Sequence, residues 1–83
     1  MVKDMLYYIK LGGAKNSLEA GAIDRILKVN GIRDIETFRN TPVDNFRYFR
    51  NIGPSRMIVL NKAMELAKAD YNRTNKPKRI FNV

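Results

Sequence analysis

Four breaks decide what this chain can build: Gly12-Gly13, Asn30-Gly31, Thr41-Pro42 and Gly53-Pro54. Between them, apolar residues recur every three or four positions, the spacing of helices that each bury one face. No stretch alternates apolar and polar residues as a strand would. The expectation is an all-α fold, a compact bundle of four to five short helices. It is read as one helical domain over residues 1–71, with an additional N-terminal helix at 1–13, a core at 17–71 and a basic C-terminal tail at 72–83.

Each segment carries its own start and stop signals. Val2, Met5, Leu6 and Ile9 form a first stripe that Gly12-Gly13 terminates, with Tyr7-Tyr8 expected at the edge of the core. Asn16 or Ser17 is placed to cap a second helix, and Glu19, three residues after Asn16, completes a possible capping box. Ile23, Ile26 and Leu27 give that helix an apolar face as far as Val29, opposite Asp24, Arg25 and Lys28. Asn30-Gly31 ends it. Ile32, Ile35 and Phe38 predict a third helix capped by Asp34. Thr41-Pro42-Val43-Asp44 predicts a fourth, from Pro42 to about Phe49, with Phe46 and Phe49 inward and Arg47 and Arg50 outward. The last helix is predicted from Pro54 to Asp70 or Tyr71. It would bury Met57, Leu60, Met64 and Ala67, flanked by Ile58 and Ala63.

The stretch around which these segments are arranged is Asn51-Ile52-Gly53-Pro54-Ser55-Arg56-Met57. Gly53 permits a backbone turn that other residues resist, and Pro54 suits the first position of a helix. A helix N-terminus presents unpaired N–H groups and a partial positive charge, which is a site for an anion. With Arg50 before the turn and Arg56 after it, the anion expected is a phosphate.

Composition narrows the functions further. The chain has 83 residues, and 16 Lys and Arg against 8 Asp and Glu give a net charge of +8, which favours polyanionic partners, nucleic acid first. It has no cysteine and no histidine, so disulfides, thiolate metal sites and the commonest general base are excluded. No cofactor, metal or small-molecule substrate is expected. Catalysis is not expected either, because Asp24, Asp34, Asp44 and Glu65 fall at helix caps or exposed faces. Residues 1–11 are too short and too charged to span a bilayer, and the expected setting is cytoplasmic, with nucleoid association possible. The run 72–79 holds four cations, Arg73, Lys76, Lys78 and Arg79, and no anion. It reads as a mobile basic tail, either a solvated one that aids solubility or one that follows a phosphate backbone without reading sequence, ending in apolar Ile80, Phe81 and Val83.

The run from Ile26 to Phe38, followed by Phe46 and by Arg50-Asn51-Ile52-Gly53-Pro54-Ser55-Arg56-Met57, resembles the C-terminal domain of the bacterial RNA polymerase alpha subunit. The resemblance extends from about Arg25 to about Leu66. It implies a helix-hairpin-helix-related, SAM-like bundle that contacts the DNA minor groove and docks transcription regulators. Asn51 and Gly53 match the family turn, whereas Pro54, Ser55 and Arg56 replace two lysines and a serine. The family's groove-entering arginine falls on Ala22 or Gly21, and its asparagine one turn later falls on Arg25. Because this chain starts with its own helix, the resemblance implies a small free-standing relative and not the polymerase subunit.

Two functions follow as expectations. The first is a DNA-binding module in transcription that uses Arg25, Lys28, Arg50, Asn51, Gly53, Ser55 and Arg56, with Lys76, Lys78 and Arg79 adding loose contacts from the tail. The second is a protein-interaction adaptor of the same fold that has lost DNA binding. It would engage RNA polymerase or a regulator through Tyr7 and Tyr8 or through Ile80-Phe81.

Overall fold

The computed structural model describes residues 2–74, and every regular element among them is helical. The order is α1 (Met5–Leu11), α2 (Ser17–Val29), α3 (Ile35–Arg39), a 3₁₀ helix η1 (Val43–Tyr48) and α4 (Pro54–Thr74). α4 is the spine: α1, α3 and η1 pack on it, and α1 also packs on α2. Lys76, Lys78, Arg79 and the apolar tail end lie outside the described residues.

The caps follow short-range chemistry. Asn16 Oδ1 accepts from the Glu19 N–H at 2.8 Å, and Asp34 Oδ1 accepts from the Thr37 N–H at 2.8 Å. The Thr37 N–H holds the Asp34 carboxyl below its ordinary pKa, because the hydrogen bond favours the charged form. Gly31 closes α2 with φ +91°, a conformation that glycine adopts without steric penalty. α1 begins later than its apolar stripe implies. Asp4 caps it through the Tyr7 N–H, so Val2 lies before the helix and is exposed.

The core is one cluster. Phe38, Phe46, Met5, Ile9, Ile23, Leu27 and Leu60 are its largest fully buried side chains, each stabilising the fold by about 1.5–3 kcal/mol through the apolar surface removed from water. The Phe38 and Phe46 rings stack with centroids 5.5 Å apart and tie α3 to η1. Gly12 lets the end of α1 touch α4. A Cβ there would lie 2.8 Å from the Val59 carbonyl oxygen and 3.1 Å from the Ala63 nitrogen. The other tie between α1 and α4 is polar. The Tyr8 hydroxyl donates to Asp70 Oδ2 at 2.5 Å, Lys3 Nζ approaches the same oxygen at 3.2 Å, and Arg73 pairs with Oδ1.

Several elements differ from the sequence reading. The short helix expected over Pro42–Phe49 is present at Val43–Tyr48, as a 3₁₀ helix. Thr41 does not cap it but donates its hydroxyl back to the Thr37 carbonyl at 2.7 Å. The tighter helix has a physical reason: with three residues per turn, Val43, Phe46 and Phe49 eclipse on one face and all three join the core. α4 continues past Tyr71 to Thr74, so residues 72–74 are helical and not part of a tail. Arg73 is drawn into the helix by Asp70 one turn earlier. Ile58 and Val29, expected beside the buried stripes, are exposed. No helix among the described residues is long and apolar enough to cross a membrane.

Candidate nucleic-acid interface

The turn before α4 is built by Asn51. Its φ is +69°, the one positive value at a non-glycine position among the described residues, and asparagine tolerates it better than most side chains. Gly53, the expected pivot, does not use that freedom. Its φ is not positive, and a Cβ added there would meet nothing within 4 Å. The Ile52 N–H reaches back to the Phe49 carbonyl at 3.2 Å, and Ile52 is buried, which pins the turn to the core. The Gly53 carbonyl then accepts from the Met57 N–H at 2.9 Å and opens α4.

Here α4 departs from the other α-helices. α1, α2 and α3 each have a side-chain oxygen on an N–H of the first turn, supplied by Asp4, Asn16 and Asp34. Among the described residues, no side chain accepts from the N–H groups of Ser55 or Arg56, and α4 has no acidic residue in its first turn. Pro54 contributes no donor. Two amide donors and the exposed Ser55 hydroxyl therefore face outward at the positive end of a 21-residue helix.

Arg56 braces the site from within. Its Nε and Nη2 hold the two Glu19 carboxylate oxygens at 2.7 and 3.0 Å, and its Nη1 donates to the Asn51 carbonyl at 2.9 Å. One guanidinium thus locks the start of α2, the turn and the start of α4 together. The Arg56 hydrogen bonds favour the ionised carboxylate and push the Glu19 pKa down. The same bonds favour the guanidinium and push the Arg56 pKa up. The possible capping box is accordingly half formed. Asn16 caps, but the Glu19 side chain is turned to Arg56. With its donors committed, Arg56 positions the turn; the outward cation beside it is Arg50, exposed and without an ion pair among the described residues.

Lys15, absent from the sequence-predicted set, belongs to this end. It is exposed, and with Ser55 it lines a depression of about 230 Å³ together with Gly13, Ala14, Glu19, Ile58 and Val59. Its only sequence signal is its place before the Asn16 cap; what makes it a neighbour of Ser55 is the Glu19–Arg56 bridge.

Arg25 and Lys28 do not converge on the turn. Arg25 is exposed, but it lies six residues beyond Glu19, roughly 120° around α2. Arg25 and Arg56 are therefore not on one face. Lys28 lies nine residues beyond Glu19, about 14 Å along the axis. It pairs with Asp24 at 3.0 Å in a hollow shared with Lys3, Asp4, Arg33 and Asp34. The expected protein-binding tyrosines are also committed to the fold: Tyr8 is buried on Asp70, and Tyr7 is partly buried and stacks edge-on with it at 4.9 Å.

No family model matches the chain, and neither the curated proteins nor the solved structures give a significant match.

Proposed function

We propose that this chain is a non-enzymatic DNA-binding module acting in transcription or its regulation, which grips the phosphate backbone at the turn into α4. The observation that carries this reading is the uncapped start of α4 beside the exposed cations Arg50 and Lys15. The Ser55 and Arg56 amides and the Ser55 hydroxyl are donors of the kind a phosphate accepts, with Arg50 exposed beside them and Lys15 lining the same depression, where the one acid, Glu19, is held by Arg56. A net charge of +8 adds long-range attraction. Asn51 serves by shaping the turn and Arg56 by bracing it. The resemblance to the polymerase alpha C-terminal domain points the same way and suggests a minor-groove approach.

The test is the salt dependence of duplex binding, followed by fluorescence anisotropy. Neutralising four to six phosphates makes log affinity fall against log salt with a slope of roughly −4 to −5. Arg50→Ala and Lys15→Ala should each flatten that slope by about 0.9, whereas Lys28→Ala, whose cation is held by Asp24, should change it less. A slope near zero sinks the DNA reading and leaves the adaptor reading in its place.

A further inference from the structure

Four tyrosines are present, and three have occupied rings. Tyr7 and Tyr8 pack against each other, and the Tyr71 ring lies under the Arg39 guanidinium at 4.0 Å. Tyr48 is different. It is 81% exposed, and its ring and hydroxyl have no partner among the described residues. The 3₁₀ geometry explains why. Side chains three apart eclipse, so Val43, Phe46 and Phe49 share the inward face, Asp44 and Arg47 share a second, and Tyr48 stands on the third with Asn45. Its exposure is thus separate from the packing of the core, which Phe46 and Phe49 satisfy without it.

The position is also rigid and cationic. Phe46 is fully buried, the Phe49 N–H bonds to its carbonyl at 3.0 Å, and the Ile52 N–H closes the next turn. Tyr48 therefore rides on anchored backbone three residues before Asn51. Arg47 precedes it, held only by an exposed ion pair to Asp44 at 3.3 Å of the kind that contributes little. Arg50 follows it, unpaired. An exposed aromatic ring interleaved with arginines, seven residues before Ser55, combines the elements that grip a strand by its backbone while stacking a base.

We infer that Tyr48 is a stacking platform for an unpaired nucleic-acid base, so that the favoured ligand is single-stranded DNA, or duplex with an unstacked base, held by the donors at the start of α4. This rests on the phosphate-binding reading above and specifies what lies next to the phosphate. Stacking needs only a π face, which makes the contact tolerant of base identity.

The test compares the full chain with Tyr48→Ala, Tyr48→Phe and Arg50→Ala on a single-stranded oligothymidine and on a blunt duplex. Because Tyr48 is exposed, both substitutions there should leave Tm unchanged. Tyr48→Ala should weaken single-strand binding about 5- to 140-fold with an unchanged salt slope, since a neutral ring displaces no counterion. Tyr48→Phe should retain the affinity, and in the unsubstituted chain the Tyr48 ring protons should move upfield on adding the oligothymidine. Arg50→Ala should instead flatten the slope on both ligands. If Tyr48→Ala binds oligothymidine as tightly as the unsubstituted chain while Arg50→Ala weakens it, the stacking role is wrong and the phosphate site stands. If the unsubstituted chain binds neither ligand at low salt, both fail.

Discussion

Glu19 and Arg56, 37 residues apart, meet in a two-pronged ion pair with contacts of 2.7 and 3.0 Å. The fork matters as much as the charge, because a third Arg56 donor reaches the Asn51 carbonyl. Arg56→Lys keeps the cation but cannot make all three bonds. It should lower Tm by several degrees and broaden the Asn51–Ser55 amide resonances, while Glu19→Gln should do the same more mildly. The pair also sets an acid dependence. The folded-state pKa of Glu19 is depressed, so its contribution is present above the unfolded value of about 4.3 and is lost as pH falls below it. Thermal denaturation from pH 6 to pH 3, compared with Glu19→Gln, checks this; the two stability curves should converge on acidification.

Gly12 and Gly53 reverse the roles their sequence context suggests. A methyl group at Gly12 would press on the Val59 backbone at 2.8 Å and push α1 off α4, so Gly12→Ala should destabilise by about 1–3 kcal/mol. Gly53→Ala meets no atom and should leave stability unchanged or raise it by about 0.4–1 kcal/mol through the unfolded chain. At Asn51, Gly should be tolerated, whereas Ala should cost about 1 kcal/mol because of its φ of +69°. Urea midpoints of the four variants decide the set.

Phe38→Ala removes a fully buried ring and leaves Phe46 without its stacked neighbour. The expected loss is about 3–5 kcal/mol, a large share of the stability of any small domain, so the variant should be substantially unfolded at 37 °C by far-UV circular dichroism.

Tyr8 should titrate late. Burial first, and then its hydrogen bond to Asp70, push its pKa up to about 12. Because the folded value is raised, this stabilisation is complete below the unfolded pKa of about 10 and disappears as pH rises through 12. The partner effect on Asp70 has the opposite sense: the Tyr8 and Lys3 hydrogen bonds lower its pKa, so its contribution fades on acidification. Phenolate absorbance during an alkaline titration should show one late step that is missing in Tyr8→Phe.

What was legible in the sequence was local. The Asn16 and Asp34 caps, the Gly31 stop and the start at Pro54 depend on atoms within four residues, and spacing alone exposes them. Asp4 gives the same signal for α1, but the apolar Val2 masked it by extending the stripe one turn too far. A helix after Thr41-Pro42 is legible, but its 3₁₀ form and the turning of the Thr41 hydroxyl back to Thr37 are not, because Thr41-Pro42-Val43-Asp44 satisfies the rules for an α-helix start. What overrides them is the burial of Val43, Phe46 and Phe49 on one face, which only the packed core decides. Of the candidate site, the turn into α4 at Arg50–Ser55 was legible in outline. Its bracing was not, since Glu19–Arg56 joins residues 37 apart, and neither was the Tyr8–Asp70 tie of α1 to α4, which joins residues 62 apart. Lys15 belongs to the site through the tertiary Glu19–Arg56 bridge, whereas Lys28 lies apart for a local reason, its i,i+4 pairing with Asp24 farther along α2.

The most direct measurement of the central claim is an amide chemical-shift titration of the labelled chain with an A/T-rich and a G/C-rich duplex at two salt concentrations. The account predicts shifts concentrated at Arg50 to Arg56 and at Lys15 to Ser17, weakened by salt, with the Ser55 and Arg56 amides moving most. Stronger shifts with the A/T-rich duplex would support the minor-groove approach. Shifts confined to residues 75–83, or none at low salt, would contradict phosphate binding at the start of α4.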